Sequence, residues 1–130
     1  MSLSTYTQPQ QSALFEKLGA FFAFSQSQYH EARKAGVKYV GLGSGLVCPE
    51  SNASALIDGL DAIQRAGIAQ DIAENGLDAI IKRELYNYEC FYTGDISDAV
   101  EALSEYGVSA SQVKSAYAVE YANVDERGWY

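Results

Sequence analysis

The chain has 130 residues, 48% of them apolar, and seventeen carboxylates against nine Lys and Arg give a net charge of −8. Such an acidic molecule repels phosphate backbones, which sets direct DNA or RNA binding aside. The longest apolar run, Leu18–Phe24, is seven residues and far too short to cross a membrane.

One domain is expected over residues 1–130, with 1–6 and 123–130 as loosely ordered ends. The opening MSLSTYTQPQQS lacks the basic start and apolar stretch of a secretory signal, so the expected location is the cytoplasm. There Cys48 and Cys90 are read as free thiols filling small apolar sites. His30 is the one histidine and there is no CxxC pair, so neither a metal site nor a cofactor is expected. Charge is unevenly placed. Residues 1–50 carry three carboxylates against four bases, whereas 51–130 carry fourteen against five.

In chain order, Thr7 with Gln10 reads as a capping box and Pro9 as a first-turn residue of a helix. Leu14, Phe15, Leu18, Phe21 and Phe22 form its apolar stripe. Ser25 with Gln28 is a second box, opening a short helix that carries Tyr29 and closes by Gly36. Next comes KYVGLGSGLVCPESNASAL. The spacing fits neither a Walker loop nor a dinucleotide fingerprint. Strand-forming residues around Gly43-Ser44 predict a β-hairpin at about 38–48, with Gly first in a type II′ turn. The alternatives are an irregular glycine loop or an anion cradle.

A third helix is predicted from Ser51 or Asn52 to Asn75-Gly76. Leu56, Ile57, Leu60 and Ile63 share one face, and Ile68 and Ile72 lie a quarter-turn or more round the axis. This predicts a central helix buried on two sides, with the pair Asp61–Arg65 on its wet side. A fourth helix carries Leu77, Ile80, Ile81 and Leu85. Asp95 is read as the cap of a fifth, which ends at Gly107, and Ser109 with Gln112 opens a sixth through Val113, Tyr117 and Tyr121. The tail NVDERGWY has no period and is expected to fray or to dock through Trp129. The fold class is therefore mainly α (α+β): five to six helices in one compact domain with a short hairpin.

Two segments invite a chemical reading. A Cys-His pair from His30 with Cys48 or Cys90 has no local signature, and no catalytic residue is assigned. ALSEYGVSASQVKSAY has the outline of a helix-turn-helix, but its second helix carries one base, Lys114, so it reads as a packing hairpin. YNYECFYTGDISD is the most unusual stretch: tyrosines supply rigid contact area and carboxylates supply partners for Arg or Lys. Glu89, Tyr92, Asp95 and Asp98 are accordingly the candidate partner-binding residues, and the partner is a basic host protein.

The stretches GAFFAFSQSQY, KYVGLGSGLVCPESN, LIDGLDAI, QDIAENGLDAIIKREL and ECFYTGDISDAVEAL resemble a family of small proteins of unknown function from bacterial prophages, phages and other mobile elements. The resemblance runs from about Leu14 to Tyr121. It implies a cytoplasmic, bacterial setting and an accessory role, and it carries over no functional residue. The expected function is a non-enzymatic protein–protein interaction module. Its rival is a small-molecule or nucleotide binder using Gly41, Gly43, Ser44, Gly45 and the following helix start. A homo-oligomer joined through exposed tyrosines is a third reading.

Overall fold

Seven helices and one small sheet make up the computed structural model, which describes residues 2–126. The helices are α1 (Ser4–Leu18), α2 (Gln26–Ala32), α3 (Ala53–Asn75), α4 (Leu77–Asn87), α5 (Cys90–Thr93), α6 (Ser97–Ser104) and α7 (Ala110–Glu126). The strands are β1 (Phe21–Phe22), β2 (Tyr39–Gly41) and β3 (Leu46–Pro49), all antiparallel in the order β1-β3-β2. The mainly helical expectation holds, with the four-residue α5 added and a three-stranded sheet in place of a bare hairpin. The chain forms two compact units, Thr5–Ala66 and Met1–Ser4 with Gly67–Tyr130.

In the N-terminal unit, α1 starts a turn earlier than its sequence signals imply. Thr7 is buried inside the helix instead of capping it, and Pro9 stands in the interior. The helix ends at Gly19, which takes φ +74°, the left-handed conformation that glycine adopts at little cost. The Gly19 N–H donates to Glu16 O at 3.4 Å and the Ala20 N–H to Phe15 O at 2.9 Å, the paired bonds of a Schellman cap. Phe21 and Phe22 therefore leave the helical stripe to which their spacing assigns them. They become β1 and pair with Val47 and Leu46 of β3.

The Ser25–Gln28 box forms. Ser25 Oγ accepts from the Gln28 N–H at 3.2 Å, while Gln28 Oε1 reaches back to the Phe24 N–H at 2.7 Å. Phe21, Tyr29 and Tyr39 pack ring to ring, joining β1, α2 and β2. The hairpin also forms, but its turn lies one residue later than expected. The Leu46 N–H donates to Gly43 O at 3.0 Å, and both central residues, Ser44 and Gly45, have positive φ. That is the type I′ pattern, not type II′. The unit is closed by Cys48 and Leu56, both fully buried, and by Asn52 Nδ2 donating to Leu18 O at 2.9 Å.

Helix α3 runs without interruption through Gly67 and belongs to both units. Its buried positions move round the axis from Leu56 to Asp71. Ile57, placed on the inner stripe by spacing, is 55% exposed, whereas Arg65 and Asp61 pair at 3.0 Å on the wet side as expected.

In the C-terminal unit, Ile80, Ile81 and Leu85 of α4 pack with Cys90 and Phe91 of α5, Ala99 and Leu103 of α6, and Val113 of α7. Gly107 at φ +76° stops the chain after α6. The Val108 N–H returns to Leu103 O and the Gly107 N–H to Ser104 O, a second Schellman cap. The Ser109–Gln112 box is reciprocal, at 3.2 and 2.7 Å. Helix α7 then runs to Glu126, four residues into the stretch read as aperiodic; Trp129 lies outside the described residues.

Candidate functional site

The tyrosine-rich stretch after α4 is built around a backbone reversal. Glu89 has φ +54°, a left-handed value that is uncommon for a residue with a side chain. It turns the chain from α4 into the short α5, burying Cys90 and Phe91 and leaving Tyr92 79% exposed. Gly94 at φ +76° ends α5, and its N–H donates to Cys90 O at 2.8 Å. Asp95 accepts from the Ser97 N–H at 2.9 Å and from the Ser97 hydroxyl, but it stands one residue ahead of the cap expected of it: Ile96 is the N-cap residue of α6 and makes no side-chain cap hydrogen bond. The bonds from Ser97 hold the Asp95 carboxyl below the ordinary range.

Glu89, Tyr92, Asp95 and Asp98 are all exposed, and all four lie within α5, its flanks and the first turn of α6. Glu101 extends the series at i+3 from Asp98 on α6, and Glu105 follows at the C-cap of that helix. No Lys or Arg occurs between Glu84 and Val113. Burial pushes the Cys90 thiol up, and the negative charges of Asp95 and Asp98 add to it, so the thiol stays protonated.

The C-terminal unit also holds a polar network that sequence spacing does not reveal. Asp71 of α3 is fully buried and grips Arg83 of α4 through two bonds of 2.8 and 2.9 Å. Asn75 Nδ2 and the Tyr106 hydroxyl also donate to it, and Arg83 Nε donates to Glu84 at 2.8 Å. Burial alone would raise the Asp71 pKa. The hydrogen bonds from Arg83, Tyr106 and Asn75 outweigh it and hold the group at about 2. Arg83 is raised by its bond to Asp71, and burial raises Tyr106. Every polar atom of the network is matched, as in a structural clamp.

A groove of about 380 Å³ runs between α4 and α7. It has an apolar floor of Ile81, Leu85, Ala116 and Val119, and Lys82 and Glu120 pair across it at 3.3 Å. The Tyr86 hydroxyl donates to the same Glu120 carboxylate at 3.1 Å.

The residues of the rival reading fall in the hairpin. Gly41 pairs with Val47, Ser44 and Gly45 have the positive φ that the type I′ turn requires, and Gly43 just before them is positive as well. Gly45 has a second reason to be glycine: an added Cβ would lie 2.4 Å from the Phe24 ring. His30 is exposed on α2 beside Tyr29, and burial pushes the Cys48 thiol up. Among the described residues no group of three or more His, Cys, Asp and Glu is placed to hold a metal ion, and no helix is long and apolar enough to cross a membrane.

A family model described as a family of unknown function, DUF7659, matches residues 3–124, and the chain belongs to that family. No curated protein and no solved structure matches it.

Proposed function

We propose that this protein is a non-enzymatic interaction module, encoded by a phage or other mobile element, that presents the acidic, tyrosine-bearing face of α5 and α6 to a basic partner. A nucleic-acid-binding or defence protein of the host is the natural class of target, because its cationic groove already accommodates a polyanion. The observation that carries the proposal is Tyr92, 79% exposed among Glu89, Asp95 and Asp98 on a face without a single Lys or Arg from Glu84 to Val113. A largely exposed tyrosine ringed by carboxylates has the make-up of an anchor with a steering rim. Against chemistry of its own stand two buried thiols with raised pKa and a buried carboxylate saturated with donors.

The test is capture from a bacterial lysate at low and high salt, with the native chain beside a variant carrying E89Q, Y92A, D95N and D98N. Proteins retained by the native chain at low salt, released by salt and missed by the variant are the expected result. Equal capture by both chains, or none by either, defeats the proposal.

A further inference from the structure

A second surface, in the N-terminal unit, has the opposite sign. From Ala32 to Pro49 the sequence holds Arg33, Lys34 and Lys38 and no carboxylate, a cationic island in an acidic molecule. Arg33 and Lys34 lie between α2 and β2, and the Lys34 N–H donates to the Tyr39 hydroxyl at 3.0 Å. Lys38, next to the strand, is already paired with Glu50 at 3.0 Å, which leaves Arg33 and Lys34 as the cations of this surface.

β2 is an edge strand, and the hydrogen bonds fix which of its groups face outward. The Leu42 N–H donates to Leu46 O, and the Glu50 N–H donates to Lys38 O, both at 2.8 Å. Residues 38, 40 and 42 therefore turn their backbone groups toward β3. By the alternation of an antiparallel ladder, Tyr39 and Gly41 turn their N–H and C=O groups to the open side. Pro49, opposite Tyr39, has no N–H to give, which fits a non-bonded pair at that position.

Gly41 is the informative residue. Its φ is not positive, and a Cβ built on it would meet nothing within 4 Å, so neither turn geometry nor internal packing calls for glycine. Glycine within a strand otherwise marks a place where another backbone comes close. Beside the start of the strand, a hollow of about 530 Å³ lined by Gly36, Val37, Lys38, Glu50 and Ser51 leaves room for a side chain of whatever docks there.

We infer that the outer edge of β2 is a docking strand for an extended, acidic peptide segment of a partner protein. The segment adds as a fourth strand by bonding to Tyr39 and Gly41, and its carboxylates face Arg33 and Lys34. An open edge supplies affinity through the main chain, and Arg33 and Lys34 select the sign of the segment.

The probe is a short fluorescein-labelled peptide of alternating Glu and Val, titrated with the full chain and followed by anisotropy. Binding that weakens with salt is expected. G41P removes one outward donor at an edge position that tolerates proline, and it should weaken binding by about tenfold. G41A keeps the donor and meets open space within the chain, so it should fold as the native chain does, but it puts a methyl where the docking backbone comes close and should bind the peptide more weakly. R33E with K34E should abolish binding. If G41P does not fold, the same peptide methylated on alternate backbone nitrogens tests the same bond from the other side and should bind about tenfold less. No binding at low salt, equal binding of the methylated peptide, or equal binding of a Lys–Val peptide would each overturn the inference. So would a dimer of the native chain that the peptide fails to dissociate, since the edge would then belong to a second copy.

Discussion

Asp71 is the residue on which the C-terminal unit most depends, and its removal has a clear expected cost. D71A leaves Arg83, whose side chain is 13% exposed, without its main counter-charge, and should destabilise by about 3–5 kcal/mol in urea unfolding. Y106F removes one donor from a carboxylate that keeps others and should cost about 1–2 kcal/mol. The pH dependence follows from the lowered pKa. A carboxyl at about 2 when folded, and near its ordinary 3.8 when unfolded, stabilises fully above the higher value. That contribution, about 2 kcal/mol, is lost as pH falls toward 2, so D71N should flatten the acid limb of a stability–pH curve. Gly59 is decisive in the N-terminal unit, because a Cβ there would lie 2.7 Å from Leu14 Cδ2 and 3.2 Å from Cδ1. G59V forces the whole Leu14 side chain aside and should lower stability by about 2 kcal/mol, read from the urea midpoint.

At the scale of elements, stops and starts of the later helices were legible in the sequence because their signals are local. Ser25–Gln28, Ser109–Gln112 and Gly107 each act within a few residues and sit where their chemistry places them, while Asp95 falls one residue ahead of the N-cap, Ile96. S109A should accordingly cost about 1 kcal/mol by removing a cap from α7. Misreadings arose where a distant partner overrides local pattern. Phe21 and Phe22 continue the α1 period, yet pairing with β3 takes them, and Gly19 supplies the turn that permits it. Thr7 and Pro9 carry the local signature of a helix start, yet α1 begins at Ser4 and runs through both, with Thr7 buried and Pro9 inside the helix. The exposed residues of the candidate site were visible as composition. Asp71, Arg83 and Tyr106 were not, since spacings of 12 and 23 residues along the chain follow no period that a helix or strand would show.

For the molecule as a whole, charge is the property that ties stability to the proposed function. Asp98 and Glu101 repel each other along α6 at helical neighbour spacing, and Glu105 adds a third carboxylate at the helix's C-cap. E101K should therefore stabilise the protein by about 0.5–1 kcal/mol while weakening capture of a basic partner. A gain in thermal midpoint without loss of capture would separate the two properties and tell against the α6 face as the site. The N-terminal bases act in the opposite sense, so the two units are expected to choose different partners.

One consequence follows from how the bases of the acidic part are used. Of the five bases from residue 51 onward, Arg65, Lys82 and Arg83 are each bound to a carboxylate, and Arg83 is almost shielded from solvent. Their charge is spent locally, so sodium and potassium ions from the medium must gather over Glu89, Asp95 and Asp98. Whatever cationic surface settles there sets those ions loose, and the resulting gain in disorder, more than heat, is expected to drive the association.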